Sequence, residues 1–402
     1  MTAVLDILLN KTKVGVLTQL RDGRMIFTFD EAYLNDPKRP TLSQSYLDSF
    51  GELLADTKAY NVFAPPFFSN MLPEGPLRDY LASRGQIKPS QEFRMLYLLG
   101  EDLPGAVIAR PSEEFITTDE FIFEEGDESD PAQHQPLRFS LAGVQLKFSG
   151  LMQRQCGLTI PASGIGGDWI VKLPAAAHDN VPENEYAIMH MAGEIGIPIP
   201  DIKLVPMGDI EGLPEFNNLR GEKALAVKRF DRGENGSRIH IEDFAQVYGI
   251  LPDKKYEGVN FKGITQMVWT ICGEDGLRDF IKRLTYTILT GNGDMHLKNW
   301  SFIYEDKRTP ALSPAYDLLS TVPYIPDDTL ALKILRVNDM KLCDVALFES
   351  MADKAGVPKK VVTDTVKETI ELTRSAWARN KEHYDMPSQI TKVIDQHMKD
   401  VF

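Results

Sequence analysis

Cysteine is scarce: Cys156, Cys272 and Cys343 are the only three in 402 residues. They are too few and too far apart for a disulfide framework or a thiolate zinc site, so buried free thiols are expected. Long apolar runs are missing as well. No stretch approaches the roughly 20 residues that cross a bilayer, and no membrane contact is expected. The opening MTAVLDILLNKTK has Asp6 inside its apolar stretch and neither a basic leader nor a small-residue cleavage site. It does not resemble a secretory signal, and the chain is expected to be cytoplasmic. Positive charge is also short, with 44 Lys and Arg against 58 Asp and Glu and a net charge of -14. That balance excludes a protein whose whole surface neutralises nucleic-acid phosphates, so contact with DNA is expected only indirectly, through a partner. Finally, there is no G-x-G-x-x-G phosphate loop, because only Gly143 lies between Ser140 and Lys147.

What is present is ordinary globular composition, 43% apolar and 25% charged, in a chain long enough for two or three packed lobes. VGVLTQL and RMIFTF flank Asp22-Gly23, which predicts a hairpin. FAPPFFSNMLPEGPLRDYLAS and EFRMLYLLGEDLPGAV follow as short helical patterns punctuated by Pro and Gly. Residues 1 to 105 are assigned to a first domain of mixed α/β character. Residues 106 to 135 are assigned to a linker, because EE and EEGDESD between Glu113 and Asp130 leave no long apolar face. Residues 136 to 230 carry the strand-like runs LKFSGLM, DWIVKL and ALAVKRF, with one helical segment, ENEYAIMHMAGEIG. From 231 to 402 the pattern is mainly helical. Leu277, Phe280, Ile281, Leu284, Ile288 and Leu289 recur on one face of a helix that Gly291 and Gly293 break. A second amphipathic helix after Pro358 carries Val362, Val366, Ile370 and Trp377.

The chemistry is concentrated in GNGDMHLKNW and SPAYDLLS. Asp294 and Asn299 have the five-residue spacing of a kinase catalytic loop, in which the Asp accepts a hydroxyl proton and the Asn binds magnesium. Asp317 follows a strand-like WSFIY, where a second metal-holding carboxylate returns on a hairpin. Lys172, in DWIVKLP, lies on a strand that precedes a helix bearing Glu185. This is the order in which a strand lysine grips the α- and β-phosphates of ATP and pairs with a helix carboxylate. Glu183, two residues earlier, competes for that pairing. In FSLAGVQLKFSG the backbone around Gly143 and the charge of Lys147 can make an anion nest. LAVKRFDR is assigned to the hinge, with backbone groups of Lys228, Arg229 and Phe230 at an adenine edge and Phe230 walling the purine. His296 and Lys298, inside the loop, are further candidates for phosphate contact.

Four motifs in order make the chain resemble the HipA family of bacterial toxin-antitoxin serine/threonine kinases over nearly its whole length. FFSNMLPEG at 67 to 75 resembles the family's N-terminal signature, SLAGVQLK at 140 to 147 its phosphate loop, GNGDMHLKN at 291 to 299 its catalytic loop and AYDLLS at 315 to 320 its metal-binding segment. The resemblance implies an α+β, two-lobed protein-kinase-like fold, with a β-rich N-lobe and a mainly helical C-lobe, behind an extra N-terminal α/β subdomain. It implies ATP and Mg2+ as cofactors, Asp294 as proton acceptor, Asn299 and Asp317 as metal ligands, and Lys172 as the phosphate-gripping lysine. Ala142, Gly143, Val144, Gln145, Leu146 and Lys147 would be nucleotide contacts together with Lys228 to Phe230. Ser140 matches the family's autophosphorylated serine, and Leu146 departs from members that carry a charged residue there. The resemblance further implies a protein substrate of the translation apparatus, such as an aminoacyl-tRNA synthetase, and restraint by a small DNA-binding antitoxin. A small-molecule phosphotransferase and a non-catalytic pseudokinase acting as co-repressor are the alternatives.

Overall fold

The structure, a computed structural model, describes residues 3–112, 147–152, 158–160, 166–213 and 219–402. The acidic stretch 113–130, Ser140, the nest residues Ala142 to Leu146, and Cys156 lie outside them.

Alternation of apolar and polar residues builds the first sheet from β1 (Ala3–Leu9), β2 (Thr12–Gln19) and β3 (Met25–Phe29), with Leu5 and Ile7 fully buried on one face. Gly23 at φ 85° closes the expected hairpin. A fourth strand, β4 (Val107–Pro111), pairs antiparallel with β1, so this sheet reaches past residue 105. Four short helices accompany it: α1 (Glu31–Asn35), α2 (Pro66–Ser69), α3 (Gly75–Arg84) and α4 (Glu92–Leu99).

The second sheet contains β5 (Lys147–Met152), β6 (Leu158–Thr159), β7 (Trp169–Lys172), β8 (Ile202–Pro206), β9 (Ile210–Glu211) and β10 (Lys223–Lys228), in the order β8-β10-β7-β5-β6-β9. Its helix, α5 (Val181–Glu194), falls between β7 and β8. The sheet's apolar residues Phe148, Val171, Leu173, Ala224 and Ala226 join the interior of the N-terminal domain in one continuous core. Those of α5 do not. Ile188, Met189, Met191 and Ala192 belong to the second core, that of the helical lobe.

The helical lobe comprises α6 (Phe244–Val247), α7 (Phe261–Thr290), α8 (Val345–Ala355), α9 (Lys359–Asn380) and α10 (Ser388–Asp400), with a small sheet of β11 (His240–Asp243), β12 (Ser301–Tyr304) and β13 (Ala311–Leu312). The predicted face of α7 is buried at Leu277, Phe280, Ile281, Leu284, Ile288 and Leu289. The helix begins earlier than its sequence pattern, at Phe261, and is interrupted at Gly273, where φ is 65°. The whole is the two-lobed, kinase-like α+β fold with the additional N-terminal subdomain. No described helix is long and apolar enough to cross a membrane. Cys343 is buried as expected, whereas Cys272 is only partly so.

Candidate active site

The C-terminal end of α7 and the loop after it determine where Asp294 lies. Gly291 caps the helix at φ 69°, and a Cβ there would meet a Val322 methyl at 2.6 Å, so both the backbone and the space demand glycine. Thr321 ties the turn to the later segment, since its amide donates to Gly291 O at 2.8 Å and its hydroxyl accepts from Gly293 N at 2.7 Å. Asn292 does the same, donating from Nδ2 to Asp317 O at 3.2 Å and accepting from Asp294 N at 3.0 Å. Asp294 and Asp317 are therefore held to one another through the backbone. Asp317 itself has φ 54°, a left-handed conformation that costs a non-glycine residue energy and that recurs where function requires it.

From the sheet side, Lys172 reaches the same place. Its ammonium pairs with both Glu185 of α5 and Asp317, and only 6% of its side chain is exposed. Glu185 thus takes the role for which Glu183 competed; Glu183 Oε2 is buried and without a hydrogen-bond partner. Lys147 stands opposite Lys172 in the β5–β7 register. Burial opposes the charge of Lys172, yet Asp317 and Glu185 hold the ammonium protonated well above the usual lysine value. Burial would raise the Asp317 carboxyl, but Lys172 and Lys147 hold it far below the usual carboxylate range. Burial pushes Asp294 up and outweighs the Tyr256 hydrogen bond and the nearby Lys255.

Asn299 donates from Nδ2 to Asp294 O at 2.8 Å, which leaves its amide oxygen as the atom able to meet a cation. With the Asp317 carboxylate this is an all-oxygen donor set of the kind that suits magnesium rather than a soft metal. The candidate base is not bare. The Tyr256 hydroxyl donates to Asp294 Oδ1 at 2.7 Å, and the Tyr256 ring meets that of His296 edge-on at 5.0 Å between centroids. Burial, aided by Lys255, pushes the His296 imidazole down to about 3, so it is neutral at physiological pH.

A cleft of about 460 Å³ is lined by Lys147, Lys172, Glu185, Asp294, His296, Lys298, Asn299 and Asp317, and by Lys228 to Asp231 at its rim. Ile170, Val227, Phe230, Ile241 and Tyr316 supply apolar walls suited to a purine. Two of the sequence candidates are engaged elsewhere. The Arg229 guanidinium is buried against Asp231 at 2.9 Å and near Asp102 at 3.5 Å, and Lys298 Nζ donates to Asn70 O at 2.8 Å. At the hinge, Lys228 N donates to Asp201 O and Arg229 N to Asp168 O, both at 2.8 Å. Those two amides are therefore occupied, and the Phe230 amide is the next along the rim. Sequence reasoning missed Tyr256, which lies in an unremarkable loop, and Tyr316, whose hydroxyl donates to Lys298 O at 3.0 Å.

Comparison with known proteins accords with this geometry. The profile of the HipA-like C-terminal domain matches residues 139–377, and that of the HipA N-terminal domain matches residues 5–110. A protein of Sinorhizobium fredii named "Putative kinase Y4dM" is 48% identical over 406 residues, covering 98% of this chain and 96% of that one. The serine/threonine-protein kinase toxin HipA of Shewanella oneidensis is 26% identical over 329 residues, covering 74% of this chain and 72% of that one. Among solved structures, HipA in the Shewanella oneidensis complex with HipB and operator DNA has a TM-score of 0.73 at 22% identity, covering 98% and 96% of the two chains.

Proposed function

Because the chain belongs to the HipA family, we propose that it is an ATP- and magnesium-dependent protein serine/threonine kinase, the toxin of a toxin-antitoxin pair. The observation that carries the reading is the double pairing of Lys172, from the sheet, with Glu185 and Asp317, beside a loop bearing Asp294 and Asn299 in the same cleft.

In this reading Lys172 grips the α- and β-phosphates, with Lys147 adding charge. Magnesium, held by Asn299 and Asp317, would neutralise the triphosphate as the γ-phosphoryl group leaves. The substrate hydroxyl lies against the free oxygen of Asp294, since Oδ1 is taken by Tyr256. Its oxygen attacks the γ-phosphorus, the bond to the β,γ-bridging oxygen breaks, ADP departs, and the hydroxyl proton passes to Asp294. The neutral His296 adds no charge to this path. A translation protein such as an aminoacyl-tRNA synthetase is the expected substrate, Ser140 the expected site of autophosphorylation, and a small DNA-binding antitoxin the expected partner. Phosphate on Ser140 would add nearly two negative charges to the SLAGVQLK motif and switch the enzyme off.

Purified protein incubated with labelled ATP and magnesium should label itself at Ser140. Asp294→Asn should abolish the label while leaving the melting curve unchanged; a variant that labels as well as the wild type removes Asp294 from its role.

A further inference from the structure

The signature FFSNMLPEG has so far no part in phosphoryl transfer, yet it touches the catalytic loop. Phe67 and Phe68 are buried in the N-terminal core. Beyond them the segment turns toward the helical lobe. Asn70 Nδ2 donates to Ile250 O at 2.7 Å, and Gln246 Nε2 donates to Phe67 O at 2.9 Å. Glu74 stands at the N-terminus of α3 but makes no capping bond to it. Its two oxygens instead reach two ammonium groups, Oε1 to Lys298 Nζ and Oε2 to Lys255 Nζ, each at 2.8 Å. Lys298 is also held by Asn70 O. The side chains of Lys298 and Lys255 are 3% and 7% exposed, and for both of these buried charges Glu74 is the direct ion-pair partner.

The two lysines occupy particular places in the chain. Lys255 precedes Tyr256, whose hydroxyl donates to Asp294, and Lys298 precedes Asn299, whose amide donates to the Asp294 carbonyl. Leu297 N donates to Lys255 O at 3.2 Å, which joins the two segments. Every tie between Asp294 and these neighbours therefore runs one residue away from a charge that Glu74 holds. Both lysines also line the cleft. Released from Glu74, each would be drawn toward the anionic groups there and would carry Tyr256 or Asn299 with it.

We propose that Glu74 is a positioning residue for phosphoryl transfer: by holding Lys255 and Lys298 together, the N-terminal domain sets the geometry of the loop that carries Asp294 and Asn299. The proposal rests on the kinase reading above. It also explains why this motif of the N-terminal domain is tied to the catalytic loop by charge as well as by packing.

The test uses the full chain, with kcat and KM for ATP measured alongside hydrogen exchange. Glu74→Gln keeps the shape and removes the charge. It should lower kcat by about 100-fold, the scale of an ångström-level misplacement of a catalytic group, with KM for ATP changed by less than about threefold. Exchange should quicken in residues 252–257 and 294–299 and stay unchanged in β1 to β4 and α9. Should Glu74→Gln not fold, Lys255→Gln leaves the Glu74–Lys298 pair intact and should give a smaller loss of kcat, with faster exchange confined to 252–257. Unchanged kcat in the variants, or exchange that rises evenly across the N-terminal sheet while kcat and KM worsen together, overturns the proposal in favour of a packing role. If the wild type transfers no phosphate, the kinase reading fails and the exchange pattern alone decides the clamp: no local change in Glu74→Gln sinks it.

Discussion

The second sheet and its helix face the same cleft but belong to different interiors. Lys172 stands on a strand whose neighbours Trp169, Val171 and Leu173 are packed into the N-terminal domain. Glu185 stands on α5, whose Ile188, Met189, Met191 and Ala192 are packed with α7 and the rest of the helical lobe. Polar bonds reinforce the second allegiance: Tyr286 donates to Ile188 O at 2.6 Å, and Asn184 donates to Ser320 O at 2.8 Å and accepts from Ser320 N at 3.1 Å. The Lys172–Glu185 pair is therefore a contact between two separately packed bodies, and the difference teaches that the site is assembled by their docking. Each body can be perturbed on its own, which gives the comparison its tests.

The largest effect is expected at the contact. Lys172→Met removes the cation shared by the buried Glu185 and the partly exposed Asp317, and should reduce phosphoryl transfer by about 100-fold or more. Rates measured with saturating ATP and magnesium check this, and a variant within a few-fold of wild type would separate the pairing from catalysis. Next comes the upper body alone. Asp102, in the N-terminal domain, lies 2.6 Å from Arg232 and 3.5 Å from Arg229, with 1% of its side chain exposed. Asp102→Asn strips part of the counter-charge from two buried guanidinium groups and should cost about 3–5 kcal/mol in urea unfolding. Because Arg229 follows β10 and lines the cleft, loosening there should weaken ATP binding before it touches the catalytic loop.

The smallest effect is expected at the seam on the far side, where Glu242 of β11 accepts from Ser43 Oγ at 2.5 Å and from Gln44 N at 2.9 Å. Burial outweighs these donors and pushes its carboxyl up to about 7 from 4.5. A carboxyl raised in the folded state contributes its full stability below its unfolded value and loses it as pH climbs through the folded one. Wild-type stability should therefore decline between about pH 4.5 and pH 7 by an amount on the order of 3 kcal/mol at most. Glu242→Gln has no such titration, so the difference between the two stability curves should grow over that window and level off above it. Parallel curves would show that Glu242 stays ionised in the folded protein.

How much of this was legible in the sequence depends on the range over which each residue acts. Asp294, Asn299 and Asp317 were found because a loop imposes its spacing locally, and the buried face of α7 because helical periodicity is local too. Glu185 was named as the partner of Lys172, as the structure pairs them, but the sequence alone did not exclude Glu183. Residues two apart point to different faces of a helix, and the rotation of α5 is set by the helical lobe that receives it. Arg229 was read for its backbone at the hinge, and the partner of its side chain was not legible, because Asp102 lies 127 positions away and becomes adjacent only in the fold. Tyr256 and Glu74 share that reason, as each acquires its role from a docking that no local pattern announces. The first domain was ended at 105, short of β4, because that strand follows its partner β1 by about 100 residues.

Gly293 carries a consequence for how this loop can change over evolution. A Cβ at that position would lie 2.1 Å from Asp328 Oδ2, inside a carboxylate that also accepts the Thr321 hydroxyl. A side chain at 293 requires the Asp328 carboxylate to swing away and release the Thr321 hydroxyl, so substitutions at 293 and 328 should be non-additive.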